Sequence, residues 1–169
     1  MLSYLMSAAQ TCAMQAKGVN AAIKHFVGND QETNRTGLCT FATEQGFRQN
    51  SLKGFEGAFT KGGALGTMMS TNRIGLETMY QNAATCTGVL RDEWGFKGVT
   101  ITDSVKGDKS VYAVACLVAG TDTSMPIQDV LPSCLSIWSR TRMAMCFRNS
   151  VAPIRISTTR WPSPTLSTV

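Results

Sequence analysis

The sequence predicts an α/β fold: a partial (β/α)8 barrel of four β/α units, about half of one, followed by an irregular C-terminal tail. Two observations carry this. Four short runs, 21–26, 65–70, 98–104 and 120–125, have the apolar or alternating pattern of buried strands, and stretches of helical period lie between them. Strands that alternate with helices and glycine-stopped turns imply a parallel sheet with crossover helices. A closed barrel needs eight strands and typically ~250 residues, more than these 169 residues supply.

Residues 2–17 place Leu2, Leu5, Met6, Ala9, Ala13 and Ala16 on one helical face, and Gly18 stops the helix. The first strand, AAIKHF, runs into the polar loop VGNDQETNR. A second helix is expected over 51–61, with Leu52, Phe55, Ala58 and Phe59 on one side and Gly62-Gly63 ending it. The strand 65–70 follows, then a helix over 82–94 with Ala83, Cys86, Val89 and Leu90 inward. In GVTITDS, residues 98–104, Val99 and Ile101 alternate with Thr100 and Thr102, the period-two pattern of a short strand. A loop, VKGD, an apolar helix over 110–119 and the strand GTDTSM complete the series.

Composition excludes several classes. Hydrophobic residues make up 43% and charged residues 16%, enough for a sizeable core and against global disorder. The net charge of +5 resides in the tail: residues 1–129 hold eleven acidic and eleven basic residues, and the surplus is five arginines after Asp129. A neutral body offers no stripe for tracking phosphates, so no nucleic-acid partner is expected. No apolar run is long enough for a bilayer and no secretory signal is visible, so no membrane partner and a cytoplasmic location are expected. The six cysteines lack metal-type spacing and read as thiols in a reducing compartment. No metal and no cofactor are expected.

The chemistry gathers where strands end. Asp103 closes GVTITDS. On that stretch alone it reads first as a cap for the next helix and only second as a catalytic carboxylate at a strand's C-terminal end. Lys24 and His25 end the first strand, with Asn29, Asp30, Glu32, Asn34 and Arg35 close behind. Thr71-Asn72-Arg73 follows the second strand. Three polar clusters at the same end of consecutive parallel strands would converge on one mouth, which favours a site over a cap.

KHFVGNDQETNR, FEGAFTKGGALGTMMSTNRIG, LRDEWGFKGVTITDS and VAGTDTSM, in this order and spacing, resemble family 3 of the glycoside hydrolases, the β-glucosidase group. The resemblance covers most of residues 1–129. It implies a retaining glycosidase acting on a β-linked oligosaccharide or glucoside, with Asp103 as nucleophile. It also implies Lys24 and His25 as donors to sugar hydroxyls, Met68 and Asn72 as lining of the glucose subsite, and Arg73 beside them in substrate binding. Two departures stand out: Thr71 where many members have tyrosine, and Ser104 where many have tryptophan. The family's acid/base lies beyond its barrel, and the early strands that hold the distal sugar hydroxyls have no counterpart here. The chain is therefore expected to be an internal fragment, inactive alone. The alternative is a non-catalytic sugar-binding or assembly module, or a pseudogene product. Half a barrel leaves two unpaired strand edges, so self-association or a complementary barrel half is also expected.

The tail, 130–169, has no Gly, Asp, Glu or Lys. Joining each codon's third base to the next two lets Arg140 to Phe147 encode DEDGNV followed by Phe, and Ile154 to Thr165 encode THFYNAVAITD. Both resemble family sequence in one shifted frame, so the tail is expected to be a translated frameshift.

Overall fold

The computed structural model describes residues 1–35, 37–104 and 115–125. The expected loop 105–108, the start of the helix 110–119 and the tail 130–169 lie outside the described residues.

Helix α1 (Leu2–Ala16) leads into β1 (Ala22–Phe26). After the polar loop come a two-residue strand, β2 (Cys39–Thr40), and a helix that starts earlier than its apolar pattern suggests. This is α2 (Glu44–Phe47), whose first turn is capped by the Thr43 hydroxyl accepting from Gly46 N at 3.2 Å. It continues through a π-wound turn, Arg48–Leu52, into α3 (Lys53–Thr60). Next come β3 (Gly66–Met69), the short strands β4 (Arg73–Ile74) and β5 (Glu77–Thr78), a 3-10 turn Met79–Gln81, and α4 (Ala84–Glu93), wound with π geometry. β6 (Val99–Ser104), a helical turn at 115–119 and β7 (Thr123–Met125) end the described chain.

The four predicted strands form one sheet in the order β1-β3-β6-β7, with all three pairings parallel. The register sets Thr67 against Thr100, Met68 against Ile101 and Met69 against Thr102. A second sheet, β2-β4-β5, sits on the loops that follow β1 and β3. Its strands are two residues long, too short to show a period in the sequence.

Alternation decides which sheet face is covered. Thr67, Met69, Thr100 and Thr102 are buried, on the side that carries the core of Phe26, Leu52, Phe59, Met79, Leu90 and Phe96. Phe26 meets Phe55, Phe59 and Trp94 edge-on at ring separations of 5.3, 5.9 and 6.0 Å, a geometry worth ~0.5–1.5 kcal/mol per pair beyond burial. The alternate positions are open: Val99 is 51% exposed, and Ile23, Met68 and Ile101 are half-buried. Parallel sheets are ordinarily covered on both faces. Here one face is.

The apolar stripe of α1 is not its packed side. Tyr4, Ser7, Ala8, Thr11 and Gln15 turn toward the rest of the molecule, while Leu2, Leu5, Met6, Ala9, Ala13 and Ala16 are exposed. The reason lies on α3. A Cβ at Gly57 would strike the Tyr4 carbonyl, and one at Gly62 would come within 2.6 Å of Thr11. Backbones this close admit small and polar side chains, not leucines. The hydroxyl of Ser7 donates to Gly54 O at 2.6 Å across the same seam. On α4, Cys86 and Leu90 face inward as their spacing predicts, but Ala83 is exposed.

Candidate active site

β6 delivers Asp103 on the open face of the sheet, two places beyond Ile101, at the strand's C-terminal end. The residue is 9% exposed. One carboxylate oxygen, Oδ1, accepts from the amide of Ser104 at 2.7 Å. The other, Oδ2, lies 3.1 Å from Arg35 Nη1 and 3.7 Å from His25 Nε2. Neither nitrogen is aligned to donate, so Oδ2 is buried beside the Arg35 guanidinium and the His25 ring with no hydrogen bond to it among the described residues. A carboxylate in that state keeps a lone pair for an electrophile.

The structure thus brings His25 and Asp103 together across the β1 and β6 ends and adds Arg35 from the loop that follows β1. Arg35 is held by Glu32 Oε2 at 3.4 Å, and Glu32 Oε1 accepts from Asn29 Nδ2 at 2.9 Å. The available signal was the loop's composition: one arginine among five amides and acids, soon after a strand-end histidine. Met68 shares the open face, paired with Ile101. Asn72 is wholly buried, and among the described residues neither atom of its side-chain amide has a partner, nor has the Thr71 hydroxyl. Lys24 is exposed and makes no ion pair or hydrogen bond among the described residues. Arg73 lies in β4 and donates to the Leu76 carbonyl at 3.1 Å.

At the opposite end of the strands, Arg91 ties the scaffold together. Its guanidinium reaches Gly120 O at 3.1 Å and Asp122 Oδ2 at 2.8 Å, and Asp122 Oδ2 also accepts from Thr100 N at 2.8 Å. Burial pushes the Cys86 and Cys116 thiols each up to about 12, so neither is a thiolate nucleophile near neutral pH. Cys12, Cys39, Cys86 and Cys116 are free thiols. Among the described residues no three His, Cys, Asp or Glu side chains could hold a metal ion, and no helix is long and apolar enough to cross a membrane.

Comparison with known proteins meets this geometry. A beta-glucosidase of Rhizobium radiobacter is 35% identical over 113 residues, 67% of this chain and 13% of that protein. An exo-alpha-(1->6)-L-arabinopyranosidase of Bifidobacterium longum is 36% identical over 114 residues, 67% of this chain and 14% of that protein. Among solved structures, beta-glucosidase 3B of Thermotoga neapolitana in complex with alpha-D-glucose superposes with a TM-score of 0.72 at 32% identity, over 80% of this chain and 20% of that one. The chain thus spans a small part of the length of its relatives. The model of the glycosyl hydrolase family 3 N-terminal domain matches residues 3–141, and the chain belongs to that family.

Proposed function

We propose that this chain supplies the nucleophile and part of the sugar subsite of a retaining β-glycosidase for terminal β-linked glucosides, as part of a (β/α)8 barrel. The observation that carries the reading is Asp103 Oδ2, buried between Arg35 and His25 with no hydrogen bond among the described residues. In the reaction, Oδ2 attacks the anomeric carbon and the bond from that carbon to the leaving oxygen breaks. The leaving oxygen takes a proton from a general acid, and water later releases the sugar from Asp103. His25 and Lys24 donate to sugar hydroxyls, with Met68, Asn72 and Arg73 around the ring. No metal or cofactor is needed for these steps.

A retaining enzyme sets its two carboxyl groups ~5–5.5 Å apart. Glu32 is linked to Asp103 only through Arg35, and it is exposed and engaged by Asn29. Among the described residues no second carboxyl group is placed as the acid, and positioned proton transfer contributes ~10²–10⁴-fold. Residues 1–129 act as the barrel portion and 130–169 as an out-of-frame tail, in a reducing, cytoplasmic setting that leaves the thiols free. The test is 2,4-dinitrophenyl 2-deoxy-2-fluoroglucoside, whose leaving group needs no proton. The expected result is one added fluorosugar, mapped to Asp103 by mass spectrometry and absent from Asp103→Asn. Glucose binding by calorimetry with no labelling would favour the alternative, a non-catalytic sugar-binding or assembly module. The open sheet face is the observation behind that alternative.

A further inference from the structure

We infer that Glu32 is a positioning residue for Asp103: it shares the Arg35 cation with the nucleophile and so keeps that cation from closing on the attacking oxygen. This rests on the reading of Asp103 as nucleophile given above. Its basis is one nitrogen. Arg35 Nη1 stands 3.1 Å from Asp103 Oδ2 and 3.4 Å from Glu32 Oε2. A charge-assisted N–H···O bond is ~2.7–2.9 Å long, so Nη1 lies between the two carboxylates and is drawn fully to neither. The loop after β1 is built for this sharing. Arg35 N donates to Glu32 O at 3.3 Å, a turn that brings the two side chains together. Asn29 Nδ2 donates to Glu32 Oε1 at 2.9 Å, which leaves Oε2 for the arginine.

Two consequences follow, and they have the same sign. In the free chain, a neutral residue at position 32 would leave Arg35 facing one carboxylate. Nη1 would then close on Oδ2 as a full hydrogen bond, taking the lone pair that attack needs and stabilising the charge that attack consumes. His25 Nε2, at 3.7 Å from the same oxygen, is too far to compete for it. The second consequence comes after attack. Oδ2 has bonded to the anomeric carbon, the bond from that carbon to the leaving oxygen has broken, and the negative charge has departed with the leaving group. Asp103 is then a neutral ester. Arg35, whose side chain is 27% exposed, keeps Glu32 as its anionic partner, and a largely buried cation stripped of its partner is costly. Glu32 thus raises the energy of the reactant and lowers that of the glycosyl-enzyme. Its own side chain is 72% exposed, so water screens the effect to a few-fold.

The test is the rate at which 2,4-dinitrophenyl 2-deoxy-2-fluoroglucoside labels the full chain. Glu32→Gln should lower the maximal labelling rate about threefold and leave the half-saturating concentration unchanged, because Glu32 acts on Asp103 through Arg35 and not on the sugar. On an Arg35→Met background the same substitution should change neither quantity. An undiminished rate in Glu32→Gln, a change confined to half-saturation, or an equal loss with and without Arg35 overturns the inference; the last would mark Glu32 as a support for the loop. A second measurement needs no sugar. By NMR, the Arg35 Nη protons should exchange with water more slowly in Glu32→Gln than in the parent, and adding Asp103→Asn should remove that protection. Protection that is unchanged or reduced in Glu32→Gln overturns the inference whether or not the chain reacts with the sugar. A parent chain that takes no label overturns the glycosidase reading instead, and the exchange comparison then decides the role of Glu32.

Discussion

Asp103 lies in β6 and Asp122 immediately before β7, and each faces an arginine, yet they are treated in opposite ways. Asp122 is the more exposed, and its Oδ2 accepts from Arg91, Thr100 N and the Thr100 hydroxyl at 2.8, 2.8 and 3.0 Å. Asp103 is the more buried, and among the described residues its Oδ2 accepts no hydrogen bond. A buried polar atom without a partner costs stability, and such a cost persists in folded proteins chiefly where a ligand or a reaction uses the group. The satisfied aspartate holds β6 to β7. The unsatisfied one is the group proposed above as the nucleophile.

The comparison can be broken most sharply by labelling. Asp103→Asn should abolish attachment of the fluorosugar, whereas Asp122→Asn should keep it in whatever fraction of the chain stays folded. Label retained on Asp103→Asn would mean that another carboxylate is the nucleophile. Stability reverses the ranking. Asp122→Ala removes charge-assisted hydrogen bonds and strands the buried Thr100 amide, an expected loss of about 2–3 kcal/mol in urea unfolding. Asp103→Ala removes a poorly satisfied buried charge and should stay within about 1 kcal/mol of the parent.

The same contrast extends to thiols. Cys86 donates to the Met79 carbonyl at 3.2 Å, deep in the core. Its thiol and that of Cys116 are raised from the ordinary 9.0 to about 12, first by burial. The folded state therefore keeps protons that the unfolded state releases, so stability should be intact below pH 9 and decline between pH 9 and 12. Cys86→Ala should flatten that decline while lowering stability at neutral pH. The smallest effect is expected at the surface. Arg48 bonds Glu93 through two contacts of 2.7 Å, which holds the Glu93 carboxyl below its usual range. That contribution is present above the ordinary carboxylate range and is lost as pH falls through the lowered value. Because both groups are largely exposed, Glu93→Gln should cost only ~0.5 kcal/mol.

What could be read from the sequence follows from where periodicity is strong. The four strands and the position of Asp103 were legible because Val99 to Thr102 alternate and the polar clusters fall at strand ends. The packed side of α1 was not, because its contact is set by Gly54, Gly57 and Gly62 on another helix, forty residues and more along the chain. Arg35 reaches Asp103 through the path of an irregular loop, which no local pattern encodes. The π winding of α4 also left no mark, since Cys86 and Leu90 turn inward under either winding.

The order of strands in the sheet is also their order along the chain, and this governs how the molecule assembles. The β1–β3 contact of Ile23 with Thr67 spans 44 residues, and the β6–β7 contact of Thr100 with Asp122 spans 22. Loop closure grows only logarithmically with length, so this doubling costs ~0.6 kcal/mol. No strand waits for a distant one to be inserted between its neighbours. Each unit can dock on the one synthesised before it, and a cut between units severs one seam while leaving every other pairing whole. Such a chain can be shortened or extended by whole units without rewriting the contacts that remain.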